Sequence, residues 1–132
     1  LREILNYGHT IGHAIEVMTD YQAYKHGEAV CLGMLAAGKI ALDKGFWNKC
    51  DFERQNRLLR RLGIPKIVAE LSVNGLLEKM RNDKKVRNGV IRFLLLKRIG
   101  KVVSCDGVTH HEIRLGIQYM LDFLSGSILV DE

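Results

Sequence analysis

The sequence predicts a mostly α fold, a multi-helix domain carrying one small antiparallel β-hairpin. Apolar residues recur at helical spacing along most of the 132 residues. A single proline, Pro65, leaves long helical runs uninterrupted and assigns the breaks to the 13 glycines. β-formers concentrate only in Val90 to Leu96 and in Lys101 to Ser104.

Taken in order, Leu1 to about Met18 reads as a helix, with Ile4, Leu5, Ile11, Ile15 and Met18 near one stripe. Asp20 to Lys25 reads as a loop. Glu28 to Lys44 is rich in small and apolar residues, the pattern of a helix buried on most sides, and Gly45 suits its stop. Phe46 and Trp47 should pack the corner that follows. Asn48 or Asp51 can cap a third helix running to Leu62, which Gly63-Ile64-Pro65 ends. Shorter helices are expected over Lys66 to Leu71 and Gly75 to Arg81. The two β-rich runs then form a hairpin about Ile99-Gly100. His110 to Leu124 returns to helical spacing through Ile113, Ile117, Met120, Leu121 and Leu124. His110 and His111 read as surface residues near its cap, and the tail from Ser125 as a frayed end.

Composition narrows the function classes. Hydrophobic residues at 47% and charged residues at 27% are ordinary for a soluble globular chain and sufficient for a core. The length suits one domain, 1–132. No apolar run approaches the roughly 18 residues of a membrane helix. Leu1-Arg2-Glu3-Ile4-Leu5 lacks the basic-then-apolar order of a signal peptide. Cys31, Cys50 and Cys105 cannot all pair with one another and share no CxxC spacing, which suits reduced thiols in a cytoplasmic protein. The net charge of +5 does not by itself imply nucleic acid. No Gly-rich phosphate loop follows a strand, so no nucleotide-binding half is expected in this chain.

The densest chemical signal is Asn6-Tyr7-Gly8-His9-Thr10-Ile11-Gly12-His13-Ala14-Ile15-Glu16. His9 and His13 are one helical turn apart and share a face, able to hold one metal or one anion. Gly8 and Gly12 repeat that spacing, and glycine costs a helix roughly 1 kcal/mol against alanine. Paired on a stripe, they let a backbone or ligand come close. The stretch is not an HExxH protease helix, because Thr10 stands where the general base belongs. His26-Gly27-Glu28-Ala29-Val30 opens the next helix, and an antiparallel return would bring His26 to the first histidines. A catalytic zinc usually takes three protein ligands. Glu16 and Glu28 are the nearby carboxylates, and neither is compelling as the third ligand. Glu28 also reads as a first-turn acid favoured by the helix dipole.

The second signal is basic. From Lys79 to Lys101 the chain carries nine Lys or Arg against one acid, Asp83. A solvated charge run, an anion site built on Asp83-Lys84-Lys85, and a nucleic-acid surface are the three readings. Only Phe93 interleaves the bases, which counts against nucleic acid.

With these motifs together, the sequence resembles the C-terminal helical domain of 3-dehydroquinate synthase. The resemblance rests on Arg2 to Glu16, on His26 to Val30 followed by Gly33-Met34, on Gly63-Ile64-Pro65, on Asp83-Lys84-Lys85, and on the apolar strand ending in Ile99-Gly100. It implies a domain of the dehydroquinate synthase-like fold. It also implies a lyase of the shikimate pathway, which makes aromatic amino acid precursors by converting the sugar acid phosphate DAHP to 3-dehydroquinate and phosphate. The family uses bound NAD and a zinc or cobalt ion. By the resemblance, His9 and His26 ligate the metal, and His13 lies by the substrate phosphate and serves proton transfer. Arg2, Asn6 and either Lys84 or Lys85 bind substrate. The family's third metal ligand, a glutamate, and its NAD-binding domain lie upstream of the matching stretch. This chain therefore resembles the last third of the enzyme, expected alone to be inactive, to bind no NAD and to hold metal weakly. The implied partners are the sugar acid phosphate and the N-terminal NAD-binding domain, with no nucleic acid and no membrane; family members are often dimers. Related sugar phosphate cyclases share the paired-histidine and HGEAV motifs and remain an alternative, as do a basic helical nucleic-acid module and a purely structural helical domain.

Overall fold

A computed structural model describes residues 8–65, 71–82, 93–98, 101–105 and 107–126. Five helices and one hairpin stand among them: α1 (His9–Met18), α2 (His26–Asp43), α3 (Lys49–Arg60), α4 (Val73–Arg81), β1 (Phe93–Arg98), β2 (Lys101–Cys105) and α5 (His110–Ser125). The mostly helical architecture with one hairpin is the one the sequence predicts. All but Leu71 of the expected helix over Lys66 to Leu71, the start of the first helix before Gly8, the hairpin turn and the tail after Gly126 lie outside the described residues; Leu71 itself is buried and not helical.

α2 is the central rod. Its small and apolar residues are buried around the whole circumference, from Ala29, Leu32 and Gly33 through Leu35, Ala36 and Ala37 to Ile40 and Ala41. α1, α3, α5 and β1 all pack against it. α1 contributes Ile11, Ala14 and Ile15; α5 contributes Ile113, Ile117 and Met120; Leu95 arrives from β1. Each Ile, Leu or Met side chain among these, removed from water, contributes about 1.5–3 kcal/mol before entropy is counted. Gly116 brings α5 onto α2, since a Cβ there would sit 2.8 Å from the Ala36 carbonyl oxygen.

The helix ends follow from side-chain caps. Asn48, not Asp51, is the N-cap of α3, its Oδ1 accepting from the Asp51 N–H at 2.7 Å. Ser72 accepts from the Gly75 N–H at 3.0 Å, so α4 starts two residues earlier than the sequence suggests. Thr109 and Glu112 form a reciprocal capping box at the head of α5. α2 also begins two residues before the expected Glu28, at His26, because Glu28 Oε1 accepts from the Lys25 N–H at 2.8 Å and closes the first turn there. Trp47 packs the corner after α2 as expected, buried and donating from Nε1 to the Gly38 carbonyl at 3.1 Å. β1 and β2 pair antiparallel, Leu95 opposite Val103, with an irregularity between Leu96 and Arg98. None of the described helices is long and apolar enough to cross a membrane.

Candidate metal centre

The centre is positioned by glycines. Gly8 is the N-cap of α1, and its φ of +82° is a backbone conformation that favours glycine. A Cβ on Gly8 would come within 2.7 Å of the Val30 carbonyl oxygen, and one on Gly12 within 2.9 Å of the Ala29 carbonyl oxygen. α1 therefore runs antiparallel to α2 in backbone contact, its first turn laid over the stretch from Val30 to Met34 and its last turn reaching the start of α2 at His26. The close approach expected of the Gly8/Gly12 stripe is toward another helix.

That contact, with the short return over 19–25, brings His9 and His26 together. Their ring centroids are 5.4 Å apart and their planes are tilted by 58°. His9 Nδ1 is buried and has no hydrogen-bond partner among the described residues. His26 Nδ1 lies 3.1 and 3.2 Å from the two oxygens of Glu16. A carboxylate only accepts, so Nδ1 carries the hydrogen and Nε2 of a neutral ring keeps its lone pair. The Glu16 side chain is 10% exposed and that of His26 is 64% exposed, so the carboxylate is sequestered while the imidazole stays open to a ligand.

The other candidates divide. His13 stands on α1 one turn beyond His9 and is exposed. Glu28 serves the backbone of Lys25, the first-turn role of an acid at a helix start. Glu16, weighed from sequence only as a further ligand, instead reaches His26 through the ring edge. The available signal was its position seven residues beyond His9, on the same stripe. Arg2, Asn6, Lys84 and Lys85 lie outside the described residues. So do Arg87 and Arg92 of the basic run; Lys97, Arg98 and Lys101 lie in the hairpin strands, and Lys79 and Arg81 are exposed on α4. His110 and His111 are exposed at the head of α5, where His110 Nδ1 stands 3.1 Å from an Arg81 nitrogen. The cysteines are unpaired.

Two facing imidazoles, one with a buried unpartnered nitrogen and one oriented by a carboxylate, fit a zinc-like divalent ion in donor type. Among the described residues no group of three or more His, Cys, Asp or Glu is arranged to hold a metal ion.

The family described as 3-dehydroquinate synthase C-terminal matches residues 1–86. The chain belongs to the 3-dehydroquinate synthase family. It is 48% identical over 121 residues to the 3-dehydroquinate synthase of Nostoc sp. (strain PCC 7120), covering 91% of this chain and 33% of that protein. The enzyme of Nostoc punctiforme is 46% identical over the same shares. The chain thus spans about a third of the length of these curated relatives. Among solved structures, ValA, a 2-epi-5-epi-valiolone synthase from Streptomyces hygroscopicus with NAD+ and Zn2+ bound, superposes with a TM-score of 0.76. At 23% identity over 89% of this chain and 32% of that one, it shows the fold alone. A 2-deoxy-scyllo-inosose synthase complexed with carbaglucose-6-phosphate, NAD+ and Co2+ has a TM-score of 0.69 at 27% identity, over 87% of this chain and 33% of that one. The fold is that of the C-terminal part of dehydroquinate synthase-like sugar phosphate cyclases, as the resemblance implies.

Proposed function

We propose that residues 1–132 form one helical metal- and substrate-binding domain of a longer 3-dehydroquinate synthase, which eliminates phosphate from DAHP and closes the ring to 3-dehydroquinate. The observation that carries this reading is the pairing of His9 and His26, 5.4 Å apart, within the helix pair that the family motifs build. His9 and His26 would hold a zinc or cobalt ion, with a third ligand supplied from outside this chain. Such an ion, when bound, supplies Lewis-acid polarisation of substrate oxygen. NAD binding belongs to an N-terminal domain outside this chain.

The chain's own residues then divide the remaining work. His13, exposed one turn from His9, holds or moves a proton beside the leaving phosphate. Arg2 and Asn6 bind and orient substrate. Lys84 or Lys85 adds positive charge where phosphate departs, which favours the developing negative charge. We place the enzyme in the cytoplasm, where the three unpaired thiols stay reduced.

The test uses the full-length enzyme. It should release phosphate from DAHP and yield 3-dehydroquinate, and His9→Ala and His26→Ala should each lose metal and nearly all activity. Retention of metal and turnover by both variants would refute the reading. Turnover of a different sugar phosphate, with none of DAHP, would move the chain to another cyclase of the same fold. The isolated 132-residue chain should be inactive and should show no heat of NAD binding in a calorimeter.

A further inference from the structure

We propose that Glu16 is a positioning residue of this centre: its carboxylate fixes the ring of His26 through Nδ1 and so presents Nε2 to the ion. The proposal rests on the metal reading above and goes beyond the histidines themselves. Glu16 is the one acid among the buried described residues, 8% exposed on the same stripe of α1 as His9 and Gly12. A carboxylate withdrawn from water needs a compensating partner. The partner present is the imidazole nitrogen, at 3.1 and 3.2 Å from its two oxygens.

The geometry suits orientation better than direct ligation. Glu16 sits two turns along α1 from His9, on the side of the short 19–25 return, where it meets the first residue of α2. Having both oxygens near one Nδ1 restrains the swing of a ring that is otherwise largely solvent-exposed. A ligating histidine whose other nitrogen donates to a carboxylate has a set tautomer and orientation and is a more basic ligand. Ordering the ring before the ion arrives also lowers the entropy lost on binding.

The test compares Glu16→Ala and Glu16→Gln with the parent and with His26→Ala, all in the full-length enzyme. Zinc affinity is measured by chelator competition, and the cobalt form by its visible spectrum. Glu16→Ala should weaken zinc binding about 10- to 100-fold and shift the cobalt bands. Glu16→Gln, which keeps an acceptor but loses the charge, should fall between. The thermal midpoint of the metal-free Gln variant should stay close to that of the parent, a separation that a merely structural acid would not give. If the Ala variant fails to fold, the Gln variant carries the comparison. Parental zinc affinity and an unchanged cobalt spectrum in the Glu16 variants, with metal lost in His26→Ala, would overturn this proposal alone. Parental metal affinity in both His9→Ala and His26→Ala would overturn the metal reading and this proposal together.

Discussion

The α-carbon of Gly33 faces the carbonyl oxygen of Gly8 so closely that no side chain fits between them. A Cβ there would also lie 2.9 Å from the Gly12 nitrogen, so the obstacle is backbone on both sides. Backbone cannot rotate away as a side-chain end can, and α1 would have to lift from α2. Gly33→Ala should therefore cost about 3 kcal/mol or more, the upper part of the overpacking range. Gly27, also in α2, has nothing within 4 Å of a would-be Cβ. Gly27→Ala should be neutral or stabilise by up to about 1 kcal/mol through helix propensity. Chemical denaturation of both variants checks the contrast, and equal stabilities would show that the helix pair is not held at backbone contact.

Asn56 on α3 is 1% exposed and donates from Nδ2 to the Tyr119 hydroxyl of α5 at 2.9 Å, while its Oδ1 accepts from Gln55 at 3.3 Å. Tyr119→Phe leaves that amide donor buried without its partner, which costs about 1–3 kcal/mol. Asn56→Leu in the Tyr119→Phe background should recover part of the loss, because the stranded donor is removed while Gln55 Nε2 keeps the Met34 carbonyl as acceptor at 3.3 Å. Burial pushes the Tyr119 phenol up; Asn56 opposes that rise and the charge of Glu53 adds to it. A raised phenol pKa means the folded state holds its proton longer, so stability falls as pH climbs past the ordinary tyrosine range. Tyr119→Phe should flatten that alkaline decline, read from unfolding midpoints on either side of about pH 10.

The legible part of the centre was the part written on one element. The stripe of Gly8, His9, Gly12 and His13 follows from helical period alone, and so does the burial of α2 on every side. The pairing of His26 with Glu16 depends on how the 19–25 return is folded, with Asp20 and Tyr21 both at positive φ, which no periodicity encodes. The two-residue shifts at the starts of α2 and α4 have the same origin: a side chain satisfying a free backbone N–H outweighs the first apolar residue as the boundary. The substrate roles of Arg2 and Asn6 came from family resemblance alone, that of Lys84 or Lys85 also from the basic run as an anion site, and all four residues lie outside the described residues.

Glu112 ties the head of α5 to the end of α2. Its Oε1 accepts from the Thr109 N–H at 2.9 Å and lies 3.0 Å from Lys44 Nζ. Partial burial pulls its carboxyl upward, but the Thr109 hydrogen bonds and the Lys44 ammonium outweigh this, and the net displacement is downward. A carboxyl lowered on folding contributes stability above the ordinary carboxylate range and loses it as pH falls through its folded value. Glu112→Gln should cost about 0.5–1 kcal/mol near neutrality, a modest figure because solvent screens the pair. At about pH 3 the difference from the parent should shrink. A constant difference at both pH values would show that the charge of Glu112 contributes nothing.

The thiols should separate by reactivity. Cys50 is exposed at the head of α3, whereas Cys31 is half-buried in α2. Burial pushes the Cys31 thiol up, and the nearby Glu28 carboxylate raises it further by disfavouring a second negative charge. Alkylation proceeds through the thiolate, so at neutral pH Cys31 should lag well behind Cys50. Raising the pH should accelerate Cys31, and Glu28→Gln should accelerate it modestly at fixed pH by removing the repelling charge. Because Glu28 also accepts from the Lys25 N–H, that variant is compared at matched helicity. Mass spectrometry of time-resolved labelling reads the order, and modification of Cys31 before Cys50 would mean that α2 opens readily in solution.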